Sequence, residues 1–331
     1  MSRFFNRSLD RLVPYTPGEQ PQDQQYVKLN TNESPYPPSP GVIAALNARE
    51  AADLRLYSDP EAKVLKAVLA ERYSVEPANI FVGNGSDEAL NFAFLAYAAD
   101  GRGAAFADIT YGFYKVFADL HGIETQIIPL KDDFSISADD YKSLGKAVFI
   151  ANPNAPTGLY EDLDTVEDIL KHNQDVIVIV DEAYIDFGGQ SCVPLIHQYE
   201  NLVVIQTFSK SRSFAGARLG VALGNKEAIS HLYDVKNSFN SYPIDYITQQ
   251  IGLVSVLNSQ DMKEKCQKVI QTREYTKTKL KELGFVVPDS YANFVFVKHP
   301  KIDGEELFLA LRKEGIIVRH WNKPLIDQYL R

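Results

Sequence analysis

The chain has 331 residues, of which 45% are hydrophobic and 23% are charged, a composition that excludes wholesale disorder. Its 34 basic and 43 acidic residues give a formal net charge of −9, which argues against a nucleic-acid partner because the phosphate backbone favours a basic surface. The longest uninterrupted apolar run, 92–99, is far shorter than the ~20 residues of a membrane span. The sequence therefore predicts a globular protein of one or two domains.

The cysteines and histidines exclude two further classes of protein. The two cysteines, Cys192 and Cys266, cannot form a disulfide framework, and they favour a reducing compartment such as the cytoplasm. The six histidines are scattered without the spacing of a zinc site, so no metal site is predicted. The first 12 residues are basic but include no apolar segment, so no signal peptide is expected.

The N-terminal two thirds of the chain predict an arm and a large domain. Residues 1–40 are rich in proline, glutamine and asparagine, which predicts an arm that lies on another surface. From 41 to 235, apolar runs alternate with helical patterns, which predicts an α/β domain with a doubly wound, mostly parallel sheet. Strands are predicted at 80–82, 104–107, 125–129, 147–151, 176–180, 202–207 and 218–223, and helices at 86–99, 111–121 and 164–172.

The pattern changes between 236 and 331. A charged amphipathic segment at 261–283 is followed by apolar runs at 285–288 and 293–297. A helical pattern at 303–315 and a final apolar run at 316–319 complete the succession. This β, β, α, β order predicts a smaller α+β domain at the C-terminus.

Two residues that follow predicted strands could carry chemistry. Lys210 comes soon after the strand at 202–207 and is flanked by serines and small residues, which favours Schiff-base chemistry; a lysine of a surface loop is the alternative. Asp181 ends an apolar strand at the edge where α/β sheets bind ligands. Its carboxylate could pair with a protonated pyridinium nitrogen, or it could cap the next helix.

The turn GNGS at 83–86 opens a predicted helix and could bind a phosphate through backbone N–H groups, although an ordinary tight turn is the alternative. It is not a dinucleotide fingerprint, because Glu88 occupies the position of the third glycine. The segment NPNAPTG at 152–158 predicts a rigid, non-helical turn. Tyr111 could stack on a flat ring or simply fill the core.

The chain presents in order the glycine-rich turn, Tyr111, the Asn-Pro turn, Asp181 with Tyr184, the Ser-Lys pair and Arg218. This order resembles the fold-type I pyridoxal-phosphate aminotransferases of classes I and II, and within them the histidinol-phosphate aminotransferases. The resemblance extends over almost the whole chain. It implies a cytoplasmic homodimer that exchanges the amino group between L-histidinol phosphate and 2-oxoglutarate in histidine biosynthesis. It implies pyridoxal 5′-phosphate as the cofactor. The segments that carry the resemblance are KLNTNESPYPP, RLYSDP, GNGSDEAL, TYGFY, NPNAPTG, DEAYIDF, TFSKSRSFAGARLG, ANFVFV and GIIVRHWNKPLIDQYLR.

The resemblance also implies roles for individual residues. Lys210 would hold the cofactor in a Schiff base and later move the proton, Asp181 would pair with the pyridinium N–H, and Tyr184 would hydrogen-bond the ring's 3-oxygen. Tyr111 would stack on the ring, and Tyr57 would reach the phosphate from the neighbouring subunit. The other expected phosphate ligands are the N–H groups of Ser86 and Asp87, the Ser209 hydroxyl and Arg218. The expected substrate ligands are Tyr15, Asn32, Arg319 and Arg331.

The sequence departs from the family pattern at two places. Ala155 stands where the family has a second asparagine that contacts the 3-oxygen, so Asn154 would substitute or Tyr184 would make that contact alone. The family continues beyond Arg331 for a strand and a helix, so a truncated C-terminal domain is expected.

Several other functions remain open at the level of the sequence. An aromatic aminotransferase or a phosphothreonine decarboxylase would use the same fold and cofactor. A Rossmann nucleotide-binding reductase is disfavoured by Glu88 and by the pair of Asp181 and Lys210. A non-catalytic cofactor-binding protein descended from the enzyme is disfavoured by the presence of Lys210.

Overall fold

The computed structural model describes residues 12–16, 18–21, 23–47 and 54–331. Residues 1–11 of the predicted arm, which include most of the basic N-terminal segment, lie outside the described residues. The strands are β1 (Val27–Lys28), β2 (Ile80–Gly83), β3 (Ala104–Ala107), β4 (Thr125–Ile128), β5 (Ala147–Ala151), β6 (Val178–Asp181), β7 (Leu202–Thr207), β8 (Gly220–Gly224) and β9 (Ile316–Ile317). The helices are α1 (Pro40–Asn47), α2 (Lys63–Tyr73), α3 (Gly85–Ala98), α4 (Phe113–His121), α5 (Leu163–Lys171), α6 (Lys226–Phe239), α7 (Tyr246–Leu257), α8 (Ser259–Glu282) and α9 (Gly304–Lys313).

Across the described residues, strands β2 to β8 form one seven-stranded sheet in the order β2-β8-β7-β6-β5-β3-β4. Neighbouring strands from β4 to β7 pair in parallel, whereas β8 pairs antiparallel with both β7 and β2. The sheet is therefore mostly parallel, and the prediction of a doubly wound α/β domain is confirmed.

Both faces of the sheet are covered by helices. Successive side chains of a strand point to opposite faces, so Val178 and Val180 pack in one core cluster and Ile179 in the other. Helices α2, α5 and α7 contribute to the first cluster, and α3, α4 and α6 to the second. This double cover explains why β6 and β7 are almost entirely apolar.

The predicted elements of the large domain are confirmed. All seven predicted strands and all three predicted helices form, with ends that differ by at most two residues from the predicted ones. They agree because a buried strand and an amphipathic helix are specified by local hydrophobic periodicity.

The C-terminal part differs from the prediction. The runs at 285–288 and 293–297 do not form strands; they make single bridges, Val286 with Lys298 and Val297 with Leu330. The first run ends at Pro288, which lacks an N–H donor for a continued ladder. Strand β9 is only two residues long, and it pairs in parallel with β1, so the N-terminal arm supplies its partner.

The two helices predicted in the C-terminal part form as α8 and α9, whereas α7 was not predicted. Helix α8 is 24 residues long and its sequence is rich in charged side chains. Helix α9 begins after Asp303, whose carboxylate accepts hydrogen bonds from the N–H groups of Glu305 and Glu306. Among the helices of the described ranges, none combines the length and the apolar character needed to cross a membrane.

Candidate active site

Five stretches of the chain, including Tyr111 and the end of β5, meet at one edge of the sheet and surround a cavity of about 120 Å³. Strand β6 ends there, β7 ends there, and β8 begins there because it runs antiparallel to β7. Strand β2 also ends there and leads into helix α3. The cavity is lined by Ser86, Asp87, Tyr111, Ala151, Pro153, Ala155, Asp181, Ala183, Tyr184, Thr207, Ser209, Lys210, Ala215 and Arg218.

Asp181 is the last residue of β6 and is 4% exposed. Its Oδ2 accepts a hydrogen bond from the Tyr114 hydroxyl at 3.0 Å, and its Oδ1 accepts one from the Ala183 N–H at 3.2 Å. The pKa of Asp181 is raised to about 7, chiefly by burial; the Tyr114 hydrogen bond opposes this shift, and the negative charge of Asp87 contributes to it. The cavity therefore holds a carboxyl group that a cation would readily ionise.

Glu182 anchors the end of β6 from the side away from the cavity. Its carboxylate accepts hydrogen bonds from the Ser191 hydroxyl at 2.6 Å, the Cys192 N–H at 2.5 Å and the Gln206 amide at 2.8 Å. Gln206 belongs to β7, so this carboxylate ties the ends of two neighbouring strands together. The end of β6, which presents Asp181 to the cavity, is consequently held in place from the side away from the cavity.

Lys210 lies in the loop between β7 and β8 and is half-buried. Its Nζ donates a hydrogen bond to the Thr31 carbonyl at 3.2 Å and lies 5.9 Å from the centroid of the Tyr184 ring. Two residues that follow it in the loop are fixed, because the Ser211 hydroxyl donates to Asp186 at 2.5 Å and the Ser213 hydroxyl to Ser34 at 2.9 Å. The loop thus directs an amine into the cavity from a rigid support.

The start of helix α3 and the start of β8 approach each other unusually closely. A Cβ atom on Gly220 would lie 2.3 Å from the carbonyl carbon of Gly85 and 2.4 Å from the Ser86 nitrogen. A Cβ on Gly85, whose φ is +77°, would lie 2.6 Å from Nη2 of Arg218. Only glycines fit here, so the free N–H groups of a 14-residue helix and a guanidinium meet at one point. Such an arrangement suits a phosphate or another anion.

Asp87 connects the two sides of this anion site. Its Oδ2 accepts a hydrogen bond from Arg218 at 3.0 Å, and its Oδ1 accepts one from the Tyr111 hydroxyl at 2.7 Å. Burial, and next the charge of Asp87, raise the pKa of Tyr111 well above its usual value, so Tyr111 stays protonated and keeps donating. Asp87 thereby orients the Arg218 guanidinium and the Tyr111 ring together.

Tyr184 lies on the opposite wall of the cavity, where its ring packs edge-on against Phe294 with centroids 5.1 Å apart. Its hydroxyl accepts a hydrogen bond from the Asn32 amide at 3.0 Å. Asn32 is buried with a φ of +54°, and its carbonyl accepts a hydrogen bond from Asn293 at 3.1 Å. The predicted arm residue Asn32 therefore reaches the cavity through Tyr184.

Arg331 is held between the arm and the C-terminal part. Its backbone N–H and carbonyl pair with the carbonyl and N–H of Arg319, at 2.9 and 3.0 Å, and its Nη2 donates to the Asn30 carbonyl at 2.8 Å. The guanidinium lies 5.2 Å from the centroid of the Phe294 ring. Its Nε is buried without a partner among the described residues, as is Oδ1 of Asn293. These two unsatisfied polar atoms, a donor and an acceptor, are available to pair with a polar ligand, although neither residue lines the cavity.

The remaining predicted substrate residues lie on the outer side. Arg319 donates a hydrogen bond to the Thr16 carbonyl at 3.2 Å. Tyr15 stacks on Phe113 with ring centroids 4.2 Å apart. Neither residue lines the cavity, so any contact with a ligand would be made at its rim.

Two predicted cofactor residues are not brought to the cavity of this chain. Asn154 is occupied elsewhere, because its amide group bonds the Ile109 carbonyl, the Thr110 hydroxyl and the Thr157 hydroxyl at 2.9, 2.9 and 3.1 Å. Ala155 lines the cavity instead, so the suggestion that Asn154 substitutes for the missing asparagine stays a prediction that would require the Asn154 amide to leave these partners. Tyr57 is 86% exposed and stacks on Tyr242 at 4.7 Å, outside the cavity.

Sequence reasoning missed Tyr114, which lies outside the cavity but holds the Asp181 carboxylate. The motif TYGFY was used only for Tyr111, yet Tyr114 is the residue that bonds the Asp181 carboxylate. The helical spacing was the available signal, since residues three apart on a helix share a face. Its partner, however, lies 67 positions away in the sequence, which no local pattern reveals.

The relatives of the chain agree with this geometry. The family model for aminotransferase class I and II matches residues 24–331. The chain belongs to the class I and II aminotransferases. It is 52% identical to histidinol-phosphate aminotransferase from Marinomonas sp. (strain MWYL1), over 100% of this chain and 95% of the relative. It is 51% identical to histidinol-phosphate aminotransferase from Brachyspira hyodysenteriae (strain ATCC 49526 / WA1), over 100% and 94%.

A solved structure supports the fold of this aminotransferase. The crystal structure of histidinol-phosphate aminotransferase from Sinorhizobium meliloti in complex with pyridoxal-5′-phosphate superimposes with a TM-score of 0.88. It is 24% identical to this chain, and the match covers 100% of this chain and 92% of that one. The fold-type I prediction is confirmed, and the alternative of a Rossmann nucleotide-binding reductase is excluded.

The contact between Gly85 and Gly220 predicts a sharp sensitivity to added volume in this aminotransferase. Gly220→Ala should lower the free energy of unfolding by about 1–3 kcal/mol, because the new methyl group meets backbone atoms that cannot move aside. Gly216→Ala is the matched control, since a Cβ there has nothing within 4 Å. Denaturant titrations of both variants measure the difference. Equal stabilities would mean that the start of α3 can shift without cost.

Proposed function

We propose that this aminotransferase exchanges the amino group between L-histidinol phosphate and 2-oxoglutarate in histidine biosynthesis, with pyridoxal 5′-phosphate as its cofactor. The observation that carries the substrate assignment is the identity of about 50% with curated histidinol-phosphate aminotransferases along the whole chain. The assignment to the cytoplasm rests on two buried free cysteines, Cys192 and Cys266, which suit a reducing compartment.

The residues around the cavity fit pyridoxal phosphate at both ends of the molecule. The glycine-lined helix start next to Arg218 suits its phosphate group, and the buried Asp181 carboxyl suits a ring nitrogen that carries a proton. Lys210 supplies a primary amine between these two points. When bound, the cofactor supplies an electron sink that stabilises negative charge on the carbon bearing the amino group.

The protein's own groups have separate tasks in this proposal. Lys210 Nζ holds the cofactor covalently and, once released, moves a proton to or from the reacting carbon. Asp181 orients the ring and keeps its nitrogen protonated, because a buried carboxylate is stabilised by an adjacent positive charge. Tyr184 donates its hydroxyl proton to the ring's 3-oxygen, and Asn32 fixes the orientation of that hydroxyl.

The phosphate group is assigned to four groups of this chain. The N–H groups of Ser86 and Asp87 lie at the positive end of α3, where the helix dipole favours an anion. The Ser209 hydroxyl and the Arg218 guanidinium face the same part of the cavity. Tyr111 is directed by Asp87 to cover one face of the ring.

Substrate binding is assigned to the arm and the C-terminal part. Arg331 is the central anion ligand, since its Nε is buried without a partner and a guanidinium matches carboxylate and phosphate groups bidentately. Arg319 and Tyr15 would contact the substrate at the rim of the cavity. Asn32 would act through Tyr184, whose hydroxyl accepts the hydrogen bond from its amide.

We propose a homodimer in which Tyr57 completes the phosphate site of the partner subunit. An apolar surface around Tyr57 supports this arrangement, because large patches of exposed apolar side chains mark protein interfaces. Tyr57 and Tyr242 stack on each other within it. The exposed side chains of this surface are Leu54, Leu56, Tyr57, Phe239 and Tyr242.

The domain boundaries remain our proposal as well. Residues 1–40 would form the arm, 41–235 the large domain and 236–331 the small domain. The seven-stranded sheet falls between residues 80 and 224, inside the proposed large domain. The pairing of β1 with β9 supports an arm that docks on the small domain.

The substrate assignment predicts a clear order of reactivity. In single-turnover assays, amino transfer from histidinol phosphate should be faster than from phenylalanine, because its phosphate engages the arginines of the substrate site. Phosphothreonine should release no carbon dioxide. Absorbance of the loaded enzyme and a carbon dioxide assay measure the three reactions side by side. Faster reaction of phenylalanine would identify an aromatic aminotransferase, and carbon dioxide release a decarboxylase.

The role of Lys210 predicts that Lys210→Ala abolishes turnover but leaves the fold and part of the cofactor affinity intact. Loss of the proton-transfer group alone should lower the rate at least roughly a hundredfold. Lys226→Ala is the control, since Lys226 pairs with Glu76 on the surface. Borohydride treatment should bleach the wild type and Lys226→Ala but leave no fixed cofactor on Lys210→Ala. Retention of more than a few per cent of the activity would contradict the Schiff-base role.

The proposed dimer predicts complementation between two inactive variants. A mixed dimer of Lys210→Ala and Tyr57→Ala subunits contains one site with an intact Lys210 and the partner's intact Tyr57. Random exchange in a two-fold dimer should restore about a quarter of the sites. Activity is measured after subunit exchange, with each folded parent alone as the control. If exchange is complete and no activity returns, each subunit builds its site from its own residues.

A further inference from the structure

Tyr114 is the residue outside the assigned site that makes the most direct contact with it. The side chain is fully buried, and its hydroxyl donates to Oδ2 of Asp181 at 3.0 Å. Tyr114 does not line the cavity, so it cannot touch a bound ring. It meets the buried side of the carboxylate, whereas Asp181 itself belongs to the cavity wall. Any effect of Tyr114 on a ligand must therefore pass through Asp181.

The surroundings of Tyr114 would otherwise suit a phenylalanine. Its ring lies 5.7 Å from the centroid of Phe106, 5.8 Å from that of Phe149 and 6.2 Å from that of Phe94. A hydroxyl group in such an aromatic cluster is unfavourable unless it forms a hydrogen bond. The one that Tyr114 forms among the described residues is to Asp181. The position thus combines a packing role with one specific polar contact.

Tyr114 stays protonated throughout the working pH range, so it is always the donor in its hydrogen bond to Asp181. Burial, and then the charge of Asp181, raise the pKa of the Tyr114 hydroxyl well above its usual value, so the proton stays on the phenol. Asp87 on α3 opposes ionisation of Asp181 by its like charge. The titratable and charged groups that line the cavity with Asp181 are Asp87, Tyr111, Tyr184, Lys210 and Arg218.

We propose that Tyr114 is a positioning residue, whose hydroxyl fixes the Asp181 carboxylate in the orientation that pairs with the ring nitrogen of pyridoxal phosphate. The inference rests on the proposed function and deepens it. The hydroxyl holds Oδ2, and the Ala183 N–H holds Oδ1 from the backbone, so the carboxylate plane is set by two donors. A hydrogen bond to a charged group is stronger than one between neutral groups, so the contact also favours the ionised carboxylate.

The test compares two cofactors that differ only at the ring nitrogen. Tyr114→Phe should weaken the binding of pyridoxal phosphate roughly tenfold, the size expected for one hydrogen bond to a charged group. It should leave the affinity for 1-deazapyridoxal phosphate, in which C–H replaces the nitrogen, within about twofold. Tyr97→Phe is the control, because it removes another buried hydroxyl, which donates to the Ala228 carbonyl at 2.6 Å. Fluorescence titration of the full-length protein measures all affinities.

A second measurement needs no cofactor. The folded-state pKa of Asp181 is raised to about 7, so ionising this carboxyl destabilises the fold as the pH rises through that value. Without the Tyr114 hydroxyl this pKa rises further, so the stability lost by Tyr114→Phe should be larger at pH 8 than at pH 5. The loss caused by Tyr97→Phe should be the same at both pH values. Denaturant titrations at the two pH values provide the comparison.

The outcomes separate the inference from the proposed function. If Tyr114→Phe weakens both cofactors equally, or neither, and its stability loss does not depend on pH, Tyr114 only fills the core and the inference is overturned. In an Asp181→Asn background, Tyr114→Phe should no longer change the ratio of the two affinities; a persistent change would also overturn it. Failure of the wild type to bind pyridoxal phosphate would instead refute the proposed function.

Discussion

The buried carboxyl group of Asp181 is the constraint on which the rest of the site depends. It lies at the end of β6, the central strand of the sheet as described, and its exposure of 4% leaves almost no contact with solvent. Within the described residues no cation lies within ion-pair distance of it, since Arg218 pairs with Asp87 and Lys210 with a carbonyl oxygen. Burial without a cation favours the protonated form, so the pKa is raised to about 7. In the proposed function, a protonated ring nitrogen would supply the missing charge.

The direction of the strands explains why the Asp181 carboxyl group shares a cavity with Lys210, Arg218 and the start of α3. Parallel strands bring the ends of β6 and β7 to one edge, and the antiparallel β8 begins at that same edge. Strand β2 pairs antiparallel with β8, with Gly83 opposite Gly220, so it too ends there. The loop between β7 and β8, which carries both Lys210 and Arg218, therefore meets the start of α3 at this edge. The reversed direction of one strand, β8, thus places the anion site at the start of α3 beside the Lys210 amine.

Sequence reasoning predicted the strands and helices of the large domain and the residues at its sheet edge. It predicted fewer of the contacts between residues that are far apart in the sequence. Buried strands and amphipathic helices carry their periodicity in the sequence, and a charged residue after an apolar strand stands out. Asn154 could not be judged in this way, because its partners Ile109 and Thr110 lie more than forty residues away. The same holds for the bond from Tyr114 to Asp181. The short strands of the C-terminal part were overpredicted because single bridges leave no distinct pattern.

Residues 30–34 link the parts that the sequence presents separately. The Asn30 carbonyl accepts a hydrogen bond from Arg331, the Thr31 carbonyl accepts one from Lys210, and the Asn32 amide donates to Tyr184. This short segment thus contacts Arg331, the Lys210 amine and Tyr184 on the cavity wall at once. Two of the three contacts use backbone carbonyls, which every sequence provides, so conformation rather than side-chain chemistry sets them. The φ of +54° at Asn32 is the local feature that permits this path, because asparagine adopts the left-handed region more readily than most residues.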